Sequence, residues 1–233
     1  MALRPDRRGS FLFIFAIYVV AVGAAWWTWQ ATSFDPPFRL LAGLVAATAV
    51  TYVATLYADN GSVFDAWWSV LPPFAALWIT AGSEADGLTL RQLAVHTVVW
   101  FWGVRLTANW AIGWTGLEHE DWRYVDLRES WPLPNWLVRL IAVEGVPTFF
   151  VWLGCLPLLP ALGSADTSFG VLDGIALALG IAAVCLELVA DEQMRLFAET
   201  KEPGEVMDRG LWKFSRHPNY LGEISFWVSL WLF

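Results

Sequence analysis

Long apolar runs separated by short polar segments dominate this chain of 233 residues. A helix needs about 20 mainly apolar residues to cross a bilayer. The runs that reach or approach this length cover residues 11–29, 40–57, 64–81, 93–110, 136–162, 169–189 and 221–233. We therefore predict an all-α, polytopic transmembrane bundle of about seven helices, forming a single membrane domain over residues 1–233.

Three of these runs carry further signals. Pro147 and Pro157 interrupt the fifth run, because proline cannot donate the intrahelical hydrogen bond. The sixth run is predicted to continue as helix past Arg195. The seventh run has only about 13 residues, which is short for a full span, so we expect this last helix to be truncated at Phe233.

Positive charge concentrates on one side of the predicted bundle. With alternating spans, one side receives Arg4, Arg7, Arg8, Arg123, Arg128, Arg195, Lys201, Arg209, Lys213 and Arg216. The other side receives little beyond Arg39 and Arg91. Because short segments rich in Lys and Arg stay in the cytoplasm, we expect the N-terminus and both long polar segments to be cytoplasmic.

Composition agrees with a membrane location. The chain is 57% hydrophobic and 15% charged, whereas a soluble domain has about 25% charged residues. Its 17 tryptophans suit membrane interfaces and apolar pockets. Sparse Lys and Arg argue against nucleic-acid binding. Cys155 and Cys185 lie in apolar runs and are predicted to be buried hydrophobic residues without redox chemistry.

Four groups of polar residues lie in or beside the apolar runs, where charge is costly and marks candidate sites. The first group is Asp59, Asn60, Ser62 and Asp65, between the second and third runs. Two interpretations remain open for it. Either Ser62 or Asp65 caps the third helix, or Asp65 is a carboxylate at the mouth of a pocket, able to donate a proton or orient a ligand.

The second and third groups flank the end of the fourth run. Arg105 and Asn109 are one helical turn apart and therefore share a face of the predicted helix. Arg105 either extends to the lipid headgroups or points into the bundle to meet a phosphate or carboxylate. Residues 118–124 are predicted to form a polar loop with aromatic anchors. His119 has no second histidine at ligand spacing, so no metal site is predicted.

The fourth group follows the sixth run. Glu187, Asp191 and Arg195 recur every four residues and are predicted to form one polar stripe on a helix. A cation-rich segment comes next and ends in Gly-Leu-Trp-Lys-Phe-Ser-Arg-His-Pro-Asn-Tyr-Leu-Gly-Glu at 210–223. Cations suit phosphates, and carboxylates accept from ribose hydroxyls or an amide. The pattern indicates a ligand with both groups; the alternative is a loop that contacts lipid headgroups.

The motif at 210–223 resembles the C-terminal signature of the membrane steroid 5α-reductase superfamily. From about residue 50 onward, the chain resembles the bacterial branch of that superfamily, the DUF1295 family, with further likeness at 62–73, 102–110 and 116–124. Isoprenylcysteine carboxyl methyltransferases carry a similar Arg-His-Pro-x-Tyr element. The resemblance implies a seven-helix bundle in the bacterial inner membrane that binds NADPH from the cytoplasmic side, through a part at about 185–233.

The resemblance also implies site residues. The predicted cofactor-binding residues are Arg105, Asn109, Glu187, Asp191, Arg195, Lys201, Arg209, Arg216, His217, Asn219, Tyr220 and Glu223. The glutamate and tyrosine that act on the enone in animal steroid reductases fall at about Val70 and Trp102, and neither side chain can donate the proton. Asp65 and Tyr124 are therefore the candidate catalytic residues, with Tyr57 as a further neighbour.

Together these features predict an NADPH-dependent oxidoreductase of lipid metabolism, of the steroid 5α-reductase type. It would reduce a C=C bond next to a carbonyl in a steroid-like or other lipid substrate, in a cavity lined by the third and fourth runs. An S-adenosylmethionine-dependent methyltransferase is one alternative, disfavoured by five cations from Arg195 to Arg216. A non-enzymatic lipid-binding protein is another. The expected partners are membrane lipids and the lipid-like substrate, with the protein acting as a monomer.

Overall fold

A computed structural model describes residues 6–83, 87–164 and 168–233. Within these ranges every regular element is helical, so the predicted all-α class is confirmed. Arg4, part of the predicted basic N-terminus, lies outside the described residues.

The helices follow the predicted runs closely. In chain order they are α1 (Arg7–Ala31), α2 (Pro36–Ala58), α3 (Trp67–Ala81), α4 (Leu90–Gly113), α5 (Trp122–Ser130), α6 (Asn135–Val138), α7 (Val146–Cys155), α8 (Leu158–Gly163), α9 (Val171–Thr200) and α10 (Pro218–Leu232). A π-helical segment, Arg139–Gly145, joins α6 to α7. Short 3-10 helices occupy Gly61–Val63 and Gly210–Lys213.

Four of the described segments are long and apolar enough to cross a membrane: α1, α2, Asn135–Cys155 and α9. A helix is present at each of the other three predicted runs as well. Helices α3 and α10 have 15 residues each, about 22 Å at 1.5 Å per residue, which is short of the hydrocarbon thickness. Helix α4 has 24 residues but carries polar side chains along its length.

Local sequence signals explain where several helices begin. Thr89 and Gln92 form a reciprocal capping box at the start of α4, which satisfies two backbone N–H groups that have no partner inside the helix. Pro36 and Pro218 stand in the first turns of α2 and α10, where the missing N–H is not needed. Pro157 precedes α8, so the fifth run is interrupted there, as predicted.

The start of α3 rules out one of the two interpretations of the first polar group, namely that Ser62 or Asp65 caps this helix. Neither Ser62 nor Asp65 caps α3, because the N-cap position is Ala66 and no side chain bonds to it. Instead the Ser62 hydroxyl accepts from the backbone N–H of Asp121 at 3.1 Å. The carboxylate of Asp65 also turns away from the helix. Both side chains therefore bind the segment that follows α4.

That segment also corrects the prediction of a loop over 118–124. Helix α5 begins at Trp122, and the Asp121 carboxylate caps it by accepting from Arg123 N at 2.9 Å. Sequence periodicity is a weak guide here because α5 has nine residues and none of them is buried. A local cap and contacts with Asp65 define this helix in place of an apolar face.

Helices α4, α9 and α10 pack closely at the end of the bundle that carries the predicted cofactor residues. A Cβ atom at Gly222 of α10 would lie 2.8 Å from the carbonyl oxygen of Ala183 and would also collide with Glu187. At Gly180 of α9 a Cβ would lie 2.6 Å from Val98. Small residues let helix backbones approach in membrane proteins, so these glycines set the spacing of the three helices.

Replacing Gly222 with alanine is expected to destabilise the protein by about 1–3 kcal/mol, because the new methyl group would overpack the α9–α10 contact. Gly23→Ala in α1 is the matched control, since no atom beyond its own helix backbone lies within 4 Å of that Cβ, and it should leave stability unchanged or raise it by up to about 1 kcal/mol. Equilibrium unfolding in mixed micelles measures both. Equal effects of the two variants would contradict the packing argument.

Candidate functional site

A buried arginine lies at the centre of a polar cluster between α4 and α9. Arg105 is 7% exposed, and its guanidinium forms ion pairs with Glu187 and Asp191. Its Nη1 donates to Asp191 Oδ2 at 2.6 Å. Of the two interpretations of Arg105, the structure therefore supports the one in which this side chain points into the bundle.

Asp191 receives hydrogen bonds from two more side chains. Asn109 Nδ2, one turn after Arg105 on α4, donates to Asp191 Oδ2 at 3.2 Å. Asn219 Nδ2, in the first turn of α10, donates to Asp191 Oδ1 at 3.2 Å. A single carboxylate thus connects α4, α9 and α10.

Glu223, one turn after Asn219, is held by two indole rings. Trp102 Nε1 donates to Glu223 Oε2 at 3.0 Å, and Trp227 Nε1 donates to Oε1 at 2.8 Å. The ring of Trp102 is fully buried and stacks on Phe226 with centroids 4.5 Å apart. Trp102 therefore orients a carboxylate in this protein.

The cluster retains unused polar atoms. Among the described residues, Arg105 Nε and Glu187 Oε1 are buried and have no hydrogen-bond partner. Three carboxylates, counting Asp191 and Glu223, surround one guanidinium. Buried donors and acceptors are unfavourable unless something pairs with them, so this cluster has the capacity to bind a polar ligand.

The basic segment after α9 folds back onto that helix beside Asp191. Leu211 N donates to Gln193 Oε1 at 2.9 Å, and Trp212 Nε1 donates to the carbonyl oxygen of Ala190 at 3.0 Å. Gly210 has a φ of 58°, in the left-handed region that favours glycine. Its conformation turns the chain toward α9, so the segment contacts α9 at positions that flank Asp191.

Arg195 does not join the buried stripe predicted with Glu187 and Asp191. Its guanidinium lies on the exposed surface and pairs with Glu192 at 2.6 Å and Glu199 at 2.5 Å. With 3.6 residues per turn, a four-residue spacing rotates by about 40° at each step. Over eight residues this drift moves Arg195 about 80° away from the face of Glu187.

The remaining basic residues of the predicted cofactor site are exposed. Arg209 pairs with Glu205 at 2.6 Å. Across residues 168–233, where the structure describes this segment, Lys201 and Arg216 have no ion-pair partner. His217 stacks on Tyr220, with ring centroids 5.2 Å apart. Two exposed cations in and just after the segment that follows α9 are thus available to an anionic group.

The two predicted catalytic residues are in direct contact. The Tyr124 hydroxyl donates to Asp65 Oδ1 at 2.6 Å. Burial raises the pKa of Asp65 to about 6, against hydrogen bonds from Tyr124 and Ser62 that favour the carboxylate. Burial and the neighbouring charge of Asp65 also raise the pKa of the Tyr124 hydroxyl. A carboxyl group with a pKa near neutrality is suited to exchange a proton at physiological pH.

Two buried charged residues of the fifth apolar run are not predicted as candidate site residues from the sequence. Arg139 is 5% exposed and Glu144 is 0% exposed, and both lie on the π-helical segment within an apolar helix. A charge inside a predicted span is the signal that would have found them. Glu120 is a further member of this region, because its Oε1 accepts from Gly61 N at 2.7 Å and from Arg128 at 2.6 Å.

Two apolar cavities lie between the helices, and one of them adjoins the polar cluster. One cavity of about 440 Å³ is lined by Trp68, Pro147, Phe150, Val151, Gly154 and Trp227. Because Trp227 also bonds Glu223, this cavity borders the carboxylates. A second cavity of about 450 Å³ lies between α1, α3 and α4, and its walls include Val70, Phe74 and Trp110. Both have the apolar walls expected of a lipid-binding space.

Apolar helices around a buried, arginine-centred carboxylate cluster define this molecule as an all-α membrane-integral protein. Residues 51–233 match the family described as "Protein of unknown function (DUF1295)", and the chain belongs to that family. The family is associated with steroid 5α-reductase-like membrane proteins.

One relative comes from Schizosaccharomyces pombe and is named "Uncharacterized protein C594.04c". It is 27% identical to this chain over 209 residues, and the alignment covers 79% of this chain and 60% of the relative. The chain therefore spans about 60% of the length of the relative it matches. No solved structure matches the chain.

Replacing Tyr124 with phenylalanine is expected to raise the pKa of Asp65 above its value of about 6, because the hydroxyl that favours the carboxylate is lost. Carboxyl 13C resonances of aspartate-labelled protein, followed across pH, measure this change. Asp121 is the internal comparison, since a hydrogen bond from Arg123 holds its pKa below the usual range, and its pKa should change much less than that of Asp65.

The same titration has a consequence for stability. The folded-state pKa of Asp65 lies above its ordinary value of 3.8, so ionising Asp65 costs folding free energy. The wild-type protein should therefore lose stability relative to Asp65→Asn as pH rises from about 4 to about 6. A difference in stability that is constant across this pH range would contradict the assignment.

Proposed function

We propose that this protein is an NADPH-dependent membrane reductase of the steroid 5α-reductase type, which reduces a C=C bond next to a carbonyl in a lipid substrate. The observation that carries the proposal is the carboxylate of Asp191, on which Arg105, Asn109 and Asn219 converge from two neighbouring helices. Membership of a family associated with steroid 5α-reductase-like proteins supports it.

The residues around Asp191 fit such a cofactor. Glu187 Oε1 is a buried acceptor and Arg105 Nε is a buried donor, and neither has a hydrogen-bond partner among the described residues. Carboxylates of this kind accept hydrogen bonds from hydroxyl or amide groups, while guanidinium and ammonium groups bind phosphates. Lys201 and Arg216, on the exposed side, would hold the phosphates.

When bound, NADPH supplies the hydride that the reduction requires. The chain's own residues would bind and orient the cofactor and exclude water from it. Trp102 and Trp227 fix both oxygens of Glu223, and their rings form an apolar wall on the membrane side of the cluster. In this proposal the cofactor binds at the cytoplasmic end, where the polar groups lie. The apolar groups would face the substrate.

The reduction also consumes a proton, which we assign to the Asp65–Tyr124 pair. Asp65 has a pKa of about 6 and can take up a proton again near neutral pH, and the hydroxyl of Tyr124 is bonded to it at 2.6 Å. Trp68, three residues after Asp65, lines the same cavity as Trp227. The apolar walls of that cavity favour a lipid-like substrate.

Purified full-length protein in detergent is expected to bind NADPH, and Asp191→Asn should weaken that binding at least about tenfold, or 1.4 kcal/mol, because the carboxylate that orients Arg105, Asn109 and Asn219 is lost. Calorimetry or ligand-induced thermal shift measures the effect. Asp126→Asn, an exposed aspartate on α5, is the matched control and should bind as the wild type does.

The same binding experiment separates the alternatives. Stabilisation by S-adenosylmethionine but not by NADPH would replace this proposal with a methyltransferase. Stabilisation by neither compound would indicate a lipid-binding protein without this chemistry.

Lys201→Gln is expected to raise the Kd for NADPH about tenfold while leaving the Kd for NADH nearly unchanged, if the ammonium group binds the 2′-phosphate. Arg209→Gln should have a smaller effect, since the Arg209 guanidinium already pairs with Glu205. Equal losses of affinity for the two nucleotides would contradict a 2′-phosphate contact at Lys201.

A further inference from the structure

A second buried polar cluster lies on helices α2 and α7 and the π-helical segment that precedes α7. This segment, Arg139–Gly145, has seven residues, and such turns are uncommon and frequently accompany functional side chains. Glu144 lies within it, is 0% exposed and faces α2. The proposed reductase chemistry makes no use of this carboxyl group.

Hydroxyl groups surround Glu144. Thr51 Oγ1 donates to Glu144 Oε2 at 2.8 Å, and the side chain of Thr55 lies beside the same carboxyl group. One turn away, the hydroxyls of Thr48 and Thr148 bond each other at 2.7 Å. The first contacts of Glu144 are therefore neutral side chains.

The cation nearest along the chain is already neutralised by other groups. Arg139 pairs with Asp59 at 2.8 Å and lies 3.8 Å from Glu120, and Glu120 also pairs with Arg128 at 2.6 Å. Two arginines and two carboxylates thus balance one another. Within the described parts of the chain, Glu144 has no ion-pair partner of its own.

The other titratable groups that face Glu144 are two tyrosines, Tyr18 of α1 and Tyr52 of α2. The Tyr18 hydroxyl donates to the carbonyl oxygen of Val63 at 2.8 Å, and the Tyr52 hydroxyl donates to that of Trp136 at 2.8 Å. Both phenolic protons are therefore used elsewhere, and neither satisfies Glu144.

Three buried atoms in this cluster have no hydrogen-bond partner among the described residues: Glu144 Oε1, Thr55 Oγ1 and Arg139 Nε. The Arg139 guanidinium is already ion-paired through its other two nitrogens. A carboxylate that is buried without a cation is strongly unfavourable. One proton on Glu144 Oε1 would remove the charge and supply a donor directed at Thr55.

We propose that Glu144 is a proton-binding site, whose carboxyl group is protonated in the folded protein at neutral pH and bonds to Thr55. A proton fits this site better than a metal ion does. Hard cations take about six or more oxygen ligands, whereas the Glu144 carboxyl and the hydroxyls of Thr51 and Thr55 supply fewer. The proposal is independent of the reductase activity.

Infrared spectroscopy of the full-length protein in lipid at neutral pH tests this site directly. The wild type should show the C=O stretching band of a protonated carboxyl group, and Glu144→Gln should lack it apart from the small contribution of Asp65, whose pKa is about 6. Glu129→Gln, an exposed glutamate on α5, is the matched control and should retain the band. Persistence of the band at its wild-type strength in Glu144→Gln, or its absence from the wild type, would overturn the proposal.

A second measurement uses the linkage between protons and stability. If the folded state holds a proton that the unfolded state releases, the wild-type unfolding equilibrium should shift toward the unfolded state by about tenfold per pH unit relative to Glu144→Gln. Sodium should have the same effect on both proteins. Stabilisation of the wild type alone by sodium would overturn the proposal in favour of a metal-ion site.

Thr55→Val keeps the experiment informative if Glu144→Gln does not fold. Valine has nearly the shape of threonine but cannot accept a hydrogen bond, so the carboxyl band should persist and move to higher frequency. A band that stays at the wild-type frequency in Thr55→Val would contradict the bond between Glu144 and Thr55.

Discussion

The burial of a guanidinium group among helices is the constraint on which this structure depends. Arg105 is 7% exposed, and a charge removed from water is unfavourable unless it is paired and hydrogen-bonded. Its partners, Glu187 and Asp191, both belong to α9, and Asn219 of α10 donates a hydrogen bond to the Asp191 carboxylate. Meeting the requirements of one arginine therefore determines how three helices meet, and Gly222 permits the approach that this needs.

The same physical requirement explains why the molecule has two polar regions of different character. Arg139, like Arg105, is buried and paired with carboxylates, and its region is balanced in charge. The Arg105 cluster differs because it has more carboxylates than cations, with Glu187 and Asp191 both paired to the one guanidinium. An excess of acceptors gives the Arg105 cluster the capacity to bind hydrogen-bond donors. The balanced region around Arg139 suits a structural role, and Glu144 is the one carboxyl group there without an ion-pair partner among the described residues.

Much of the candidate site can be predicted from the sequence because its members lie on short helical repeats or in one motif. Glu187 and Asp191 share a face at four-residue spacing, and the motif at 210–223 brings Asn219 and Glu223 together one turn apart. Arg195 departs from that face because the helical period is shorter than four residues. The contact of Asp65 with Tyr124, 59 positions apart in the chain, depends on how α5 folds against the entry to α3.

The sequence by itself determined the all-α class and the positions of the long apolar helices, since apolar run length and helix-end residues act locally along the chain. Tertiary structure alone decided which buried polar groups meet. Thr51 and Glu144 bond across 93 positions and Trp102 and Glu223 across 121, and no periodicity connects such distant residues. The physical reason is that a buried polar atom takes its partner from whichever helix face packs against it, and that packing is a property of the whole bundle.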